Sequence, residues 1–259
     1  MHASLESDLL LGDIDEFVRS MPSPYLQVFE MGDVLQHARI VAERVGQIAH
    51  VSLWRVLPGG GAAVCLVADD RPGLLSHVTA AFAAHQLDVM SAQIFCRTPT
   101  DAPPEAVDFF WLRPLGRTRT VTVEDVTLVA DTLRERLLEA AQEEAEVKRY
   151  STIPAGPLAG TRVYFDVKAL HRGESVLIVE TLDTAGLLFA ITSELYRQSV
   201  EIVASDVRTH GQVASDRFTL TDVEGRALSG SRLAEVQQGV RNAVRALVPN
   251  SLKRQRDVV

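Results

Sequence analysis

Residues 69–82 read DDRPGLLSHVTAAF, and their order raises a chemical question. Asp70, Arg71, Pro72, Gly73, Leu74 and Leu75 fall where an apolar run, AAVCLVA, ends and a helical spacing of apolar residues begins. The first N–H groups of a helix have no internal partners and sit at the positive end of its dipole, so such a corner suits a small carboxylate. Gly73 lets the backbone be approached closely. Pro72 sets φ for helix entry and lacks an N–H that would be orphaned there. Asp70 is placed either to receive an α-ammonium or to cap the helix. Pro and Gly also turn chains without binding anything, so plain turn chemistry is the competing reading.

Other candidate chemistry is thinner. The seven histidines include no His-x-x-x-His pair and no Cys-His ligand spacing, so no metal site is expected. His77 and His85 share one helical segment but stand about two turns apart, too far to chelate one ion. Ser76, Ser91 and Ser205 lack a nucleophile-elbow context, and Gly59–Gly61 is wrongly placed for a phosphate loop. No cofactor motif is present.

The elements that must position the corner come twice. Ala63 to Phe95 aligns without a gap on the chain 113 residues later: Asp70 falls on Asp183 and Gly73 on Gly186, and Leu74 and Leu75 fall on Leu187 and Leu188. Leu74, Val78 and Phe82 recur as a helical stripe, matched by Leu187, Ile191 and Leu195. Each copy then reads strand, strand and closing amphipathic helix, with AVDFFWLRP (106–114) set against SDRFTLTD (215–222). A further strand, TRVYFDVKAL (161–170), follows the first copy, and the pattern alone leaves open which sheet it joins. The predicted class is α+β: two tandem ferredoxin-like βαββαβ sandwiches with antiparallel sheets, preceded by a short helical segment. The expected divisions are 1–61 (helices and a strand), 62–149 (first unit), 150–173 (linker with the extra strand), 174–249 (second unit) and 250–259 (basic tail). In the second corner Asp183, Gly186 and Leu187 persist, but Thr184 and Ala185 replace Arg and Pro, which favours a plain turn there.

Hydrophobic content of 46% and charged content of 23% are those of an ordinary globular chain. A net charge of −8 argues against nucleic acid as a partner. No apolar run reaches the ~20 residues of a membrane helix. The acidic start lacks the basic region of a signal peptide. Cys65 and Cys96 sit in apolar strands and imply no disulfide framework. A cytoplasmic location is expected.

The stretch DDRPGLLSHVTAAFAAHQLDVMSAQIF resembles the signature of ACT domains, small ligand-binding regulatory modules. Nearly the whole chain, from MPSPYLQVFEMGDVLQHARIV (21–41) to DRFTLTDVEGRAL, resembles the C-terminal region of bifunctional PII uridylyltransferase/uridylyl-removing enzymes. The resemblance implies that the corner of one unit faces the other unit and that glutamine binds there. The implied ligand-binding residues are Asp70, Arg71, Pro72, Gly73, Leu74 and Leu75, with Asp183, Gly186 and Leu187 at the second corner. Charge-assisted bonds of ~1.5–3 kcal/mol each, less ordering costs, would give millimolar to micromolar affinity. The family's nucleotidyltransferase motif, Gly-Ser followed by Asp-x-Asp, and its His-Asp dipeptide are missing from this sequence. The expectation is therefore a non-catalytic sensor that self-associates through its ACT-like units or docks on a nitrogen-regulatory protein. Its rivals are a ligand-free scaffold and the regulatory part of a split or truncated enzyme.

Overall fold

The computed structural model describes residues 14–115, 119–143 and 160–247. Most of the expected linker, the basic tail and the first 13 residues lie outside them. All nine strands join one antiparallel sheet in the order β1-β2-β5-β3-β8-β9-β7-β6, with β4 also on β5. The first half comprises β1 (Ala49–Val56), β2 (Ala62–Asp69), α4 (Leu74–Ala84), β3 (Leu87–Ile94), β4 (Cys96–Arg97), β5 (Glu105–Pro114) and α5 (Val123–Glu143). The second comprises β6 (Arg162–Phe165), α6 (Val167–His171), β7 (Ser175–Leu182), α7 (Leu187–Arg197), β8 (Val200–His210), β9 (Val213–Asp222) and α8 (Ser231–Arg245).

The two ferredoxin-like sandwiches are there, with one rearrangement common to both. The place of the fourth strand is taken by a strand that precedes each unit: β1 pairs with β2, and β6 pairs with β7. The extra strand at 161–170 therefore completes the second sheet. It is also shorter than its apolar pattern predicts, because Asp166 accepts from the amides of Lys168 and Ala169 and starts α6. Each closing helix is fastened to its edge strand by an arginine. Arg134 donates to the Ala49 carbonyl at 3.0 Å, and Arg241 donates to that of Val163 at 3.1 Å.

A pseudo-twofold axis relates the halves. It passes between β3 and β8, where Gln93 opposes Asp206 in the register and its amide donates to that carboxylate at 2.7 Å. It also passes between α4 and α7, where the hydroxyls of Thr79 and Thr192 meet at 3.1 Å. Both pairs are separated by the repeat length of 113 residues, so each is a residue meeting its own counterpart. Even the irregularities are copied: β3 bulges between Val89 and Ser91, and β8 between Ile202 and Ala204.

On one face of the sheet α4, α5, α7 and α8 cover a single core that includes Leu66, Phe82, Phe110, Leu133, Leu177, Ile191, Phe218 and Val240. The opposite face of the first unit carries a second core. There α1 (14–20), α2 (Tyr25–Val28) and α3 (Met31–Ala42) lay Phe17, Tyr25, Phe29 and Val34 on Trp54, Cys65, Val67, Phe95 and Phe109. Inside it the Tyr25 hydroxyl meets His37 Nδ1 at 2.7 Å, and burial pulls the His37 pKa down to about 3.

Candidate functional site

Each corner is a type II turn leading into a helix. Leu74 N–H donates to the Arg71 carbonyl at 3.2 Å, and Leu187 N–H to that of Thr184 at 3.0 Å. The third turn residue is glycine in both, Gly73 at φ 74° and Gly186 at φ 80°, where a side chain would be strained. This assigns two residues differently from the sequence reading. Gly73, not Asp70, stands at the N-cap, with no side-chain cap bond. Pro72 is the second turn residue rather than the first helical one, and it is exposed.

A cleft lies beside each corner, and its other wall belongs to the other unit. The first brings Asp70, Arg71, Gly73, Leu74 and Leu75 against Tyr196 of α7 and Glu201 of β8. The second, the narrower, brings Asp183, Gly186 and Leu187 against Ala83 of α4 and Asp88 of β3. Eight of the nine expected residues thus line a cleft, and Pro72 does not.

In the first cleft, the Gly73 and Leu75 amides have no backbone acceptor among the described residues. The Tyr196 ring lies on Gly73 so closely that a Cβ there would stand 2.6 Å from it. Tyr196 is nevertheless 46% exposed, so the ring covers the amides from outside rather than from the core. Arg71 turns away, with its guanidinium 3.4 Å from Asp69 and 3.5 Å from the Leu137 carbonyl. Asp70 has no cationic partner among the described residues and stands near the Cys96 thiol, whose pKa burial and then the neighbouring Asp70 push up to about 12. Burial, with the Asp70 charge behind it, holds the Glu201 carboxyl above the usual range.

The second cleft is ionically closed. The Asp88 carboxylate lies beside Gly186 in its wall. Arg113 binds that carboxylate at 2.6 and 3.0 Å and reaches Asp183 at 2.5 Å. Under both clefts lies a carboxyl at 1% exposure, Asp108 in the first and Asp216 in the second. Each accepts a strand amide, from Phe95 at 3.3 Å and from Arg208 at 3.4 Å. Burial raises both pKa values, that of Asp216 to about 8.

Sequence reasoning missed Asp88, Arg113, Tyr196, Glu201, Asp108 and Asp216. The repeat itself carried a signal for four of them: Asp88 and Glu201 occupy matching positions, and Asp108 and Asp216 interrupt the apolar face of matching strands.

An ion network ties the helical arm to the first corner. Arg44, just beyond α3, pairs with Asp69 and, at 2.7 Å, with Glu105; Arg97 joins Glu105 at 2.9 Å and Glu16 at 3.2 Å. Among the described residues no helix is long and apolar enough to cross a membrane, and no cluster of His, Cys, Asp or Glu could hold a metal ion.

No protein-family model matches the chain. Among curated proteins it is similar to bifunctional uridylyltransferase/uridylyl-removing enzymes. The one from Rhodospirillum rubrum is 28% identical over 243 residues, covering 88% of this chain and 25% of the relative. That from Thiobacillus denitrificans is 29% identical, covering 80% and 24%. That from Gluconobacter oxydans is 26% identical, covering 87% and 24%. Over most of its length, then, the chain is homologous to about a quarter of the length of these enzymes.

Proposed function

We propose that the chain is the regulatory, non-catalytic part of a uridylyltransferase/uridylyl-removing system, and that it senses an amino acid, glutamine, in the first cleft. The observation that carries this reading is the composition of that cleft. Two helix-entry amides without backbone acceptors and the Asp70 carboxylate, all from the first unit, stand opposite Glu201 of the second, and neither acid has a cationic partner among the described residues. The ligand carboxylate takes the Gly73 and Leu75 amides, where the α4 dipole favours it. The α-ammonium goes between Asp70 and Glu201. Tyr196, held only at the surface, swings off Gly73 to admit the ligand and closes over it. An occupant joins the corner of one unit to the wall of the other, so binding alters how the units pack; a coupling of ~1–3 kcal/mol is enough for control. The similarity to a partial region of the uridylyltransferases supports a regulatory segment of such an enzyme over a free-standing scaffold.

Calorimetry with glutamine tests this on the wild type and on Asp70→Asn. Binding at millimolar to micromolar Kd, weakened at least tenfold in the variant, is the expected result. No heat with glutamine, together with no thermal shift from any of the twenty amino acids, would leave a ligand-free scaffold.

A further inference from the structure

We infer that the chain itself takes the charged partners of the second cleft: Asp88 in its wall, with Arg113 bridging Asp88 and Asp183, acts as an internal mimic of an amino acid, so one ligand rather than two binds per chain. The inference rests on the amino-acid reading of the first cleft. An amino acid presents an anion and a cation joined by a short link. At the second corner the Asp88 carboxylate lies beside Gly186, where a ligand carboxylate would meet the turn amide, and the Arg113 guanidinium sits on Asp183, the counterpart of Asp70. The anion and the cation are themselves joined by two hydrogen bonds of 2.6 and 3.0 Å. Every charged partner a zwitterion would use is therefore already taken, and Asp88 is buried at 5% exposure, beyond easy displacement by solvent.

The first cleft lacks this device at one position. In the strand registers Asp88 opposes Arg113, whereas its counterpart Glu201 opposes Thr221. Thr221 carries no charge, and only burial and the Asp70 charge act on Glu201, with no bond from Gly73. At this register position the open and the closed cleft differ as threonine against arginine.

Amide hydrogen exchange and a glutamine titration, both followed by NMR at Gly73 and Gly186, test the inference. In the wild type the Gly186 amide should exchange at least tenfold more slowly than that of Gly73, and glutamine should shift the Gly73 and Tyr196 signals alone. In Arg113→Thr, Asp88 and Asp183 repel each other, the Gly186 amide is released with at least tenfold faster exchange, and the stoichiometry rises from one to two. Arg113→Gln serves if the threonine variant does not fold, and the wild-type measurements stand without either. Equal exchange at the two glycines, or glutamine shifting Gly186 in the wild type at the concentrations that shift Gly73, overturns the inference. If glutamine moves neither set while Gly186 is protected in the wild type and released in the variant, the self-filled cleft stands and the sensing role falls.

Discussion

The two units share their strand order, their bulges and their turns, yet they treat the sheet face away from α4, α5, α7 and α8 differently. In the first unit the helical arm covers that face, and β5 is buried on both sides: Phe110 and Leu112 belong to one core, Val107 and Phe109 to the other. In the second unit no helix among the described residues covers that face, and β9, the counterpart of β5, alternates, with Ala214, Phe218 and Leu220 inside and Val213 and Arg217 outside. Continuous against alternating apolar sequence is what strands with two covered faces and with one covered face respectively require. A duplicated fold can thus diverge without moving an element, by changing what lies on its free surface.

The largest test of that contrast compares two tyrosines. Tyr25 is fully buried in the arm, with its ring against Phe17, Phe29, Phe95 and Phe109; Tyr164 is partly exposed on the same face of the second unit. Tyr25→Ala should cost about 3–5 kcal/mol in urea denaturation, and Tyr164→Ala within about 0.5 kcal/mol. Trp54 and Trp111, the chain's two tryptophans, both pack in or against the arm core, so their fluorescence reports the first unit specifically. Equal costs would mean that the arm does not cover that face. The same signal carries a pH dependence. The His37 pKa is depressed to about 3 in the fold, so the stability it contributes is present above its ordinary value near 6.5 and is lost as pH falls toward 3. Acid should release the arm first.

The buried acids give the next effect. Asp216 is raised to about 8 from an ordinary 3.8, so the folded state keeps a proton that the unfolded chain has lost across that window. Its contribution is complete below about 3.8 and declines as pH rises to about 8, by at most about 1.4 kcal/mol per pH unit. Asp216→Asn keeps an acceptor for the Arg208 amide and removes the titration, so urea midpoints measured at pH 5, 6.5 and 8 should converge relative to the wild type. An unchanged decline would assign the pH dependence to other groups.

How much of this was legible beforehand depended on whether the information was local. The repeat register, the α4 and α7 stripes and the glycines of both corners follow from periodicity and turn chemistry, which act within a few residues. Pairing partners do not. Val163 and Phe165 read as a strand, but only the sheet shows that β7 is their neighbour. Asp166 cut that strand short through a capping bond that the apolar pattern hides. Arg113, 70 residues from Asp183, reads as a charge at a strand end until the fold brings the two within 2.5 Å. Tyr196 is one of several aromatic residues in a helix until the axis lays it on Gly73.

Exchanging the residue that distinguishes the clefts sharpens the comparison further. Thr221→Arg places a guanidinium opposite Glu201, in the position Arg113 holds opposite Asp88. It should neutralise the acids of the first cleft from within and weaken glutamine at least tenfold, with little change in folding. Undiminished binding would mean that the uncompensated acids do not receive the ammonium.

The smallest effect lies on the axis itself, where the units are alike. The Thr79 hydroxyl donates to the Leu75 carbonyl at 2.8 Å and meets that of Thr192 at 3.1 Å; Thr192 also reaches the Phe189 carbonyl at 3.3 Å. Because each hydroxyl keeps a carbonyl on its own helix, replacing either one with valine strands no buried donor, and each single change should cost about 0.5–1.5 kcal/mol. The pairwise term is read from the double-mutant cycle of Thr79→Val, Thr192→Val and the combination, which should cost less than the sum of the singles by about 0.5 kcal/mol or more. Strict additivity would mean that α4 and α7 do not touch at the axis in solution. The two clefts would then have no shared wall through which an occupant of one could act on the other.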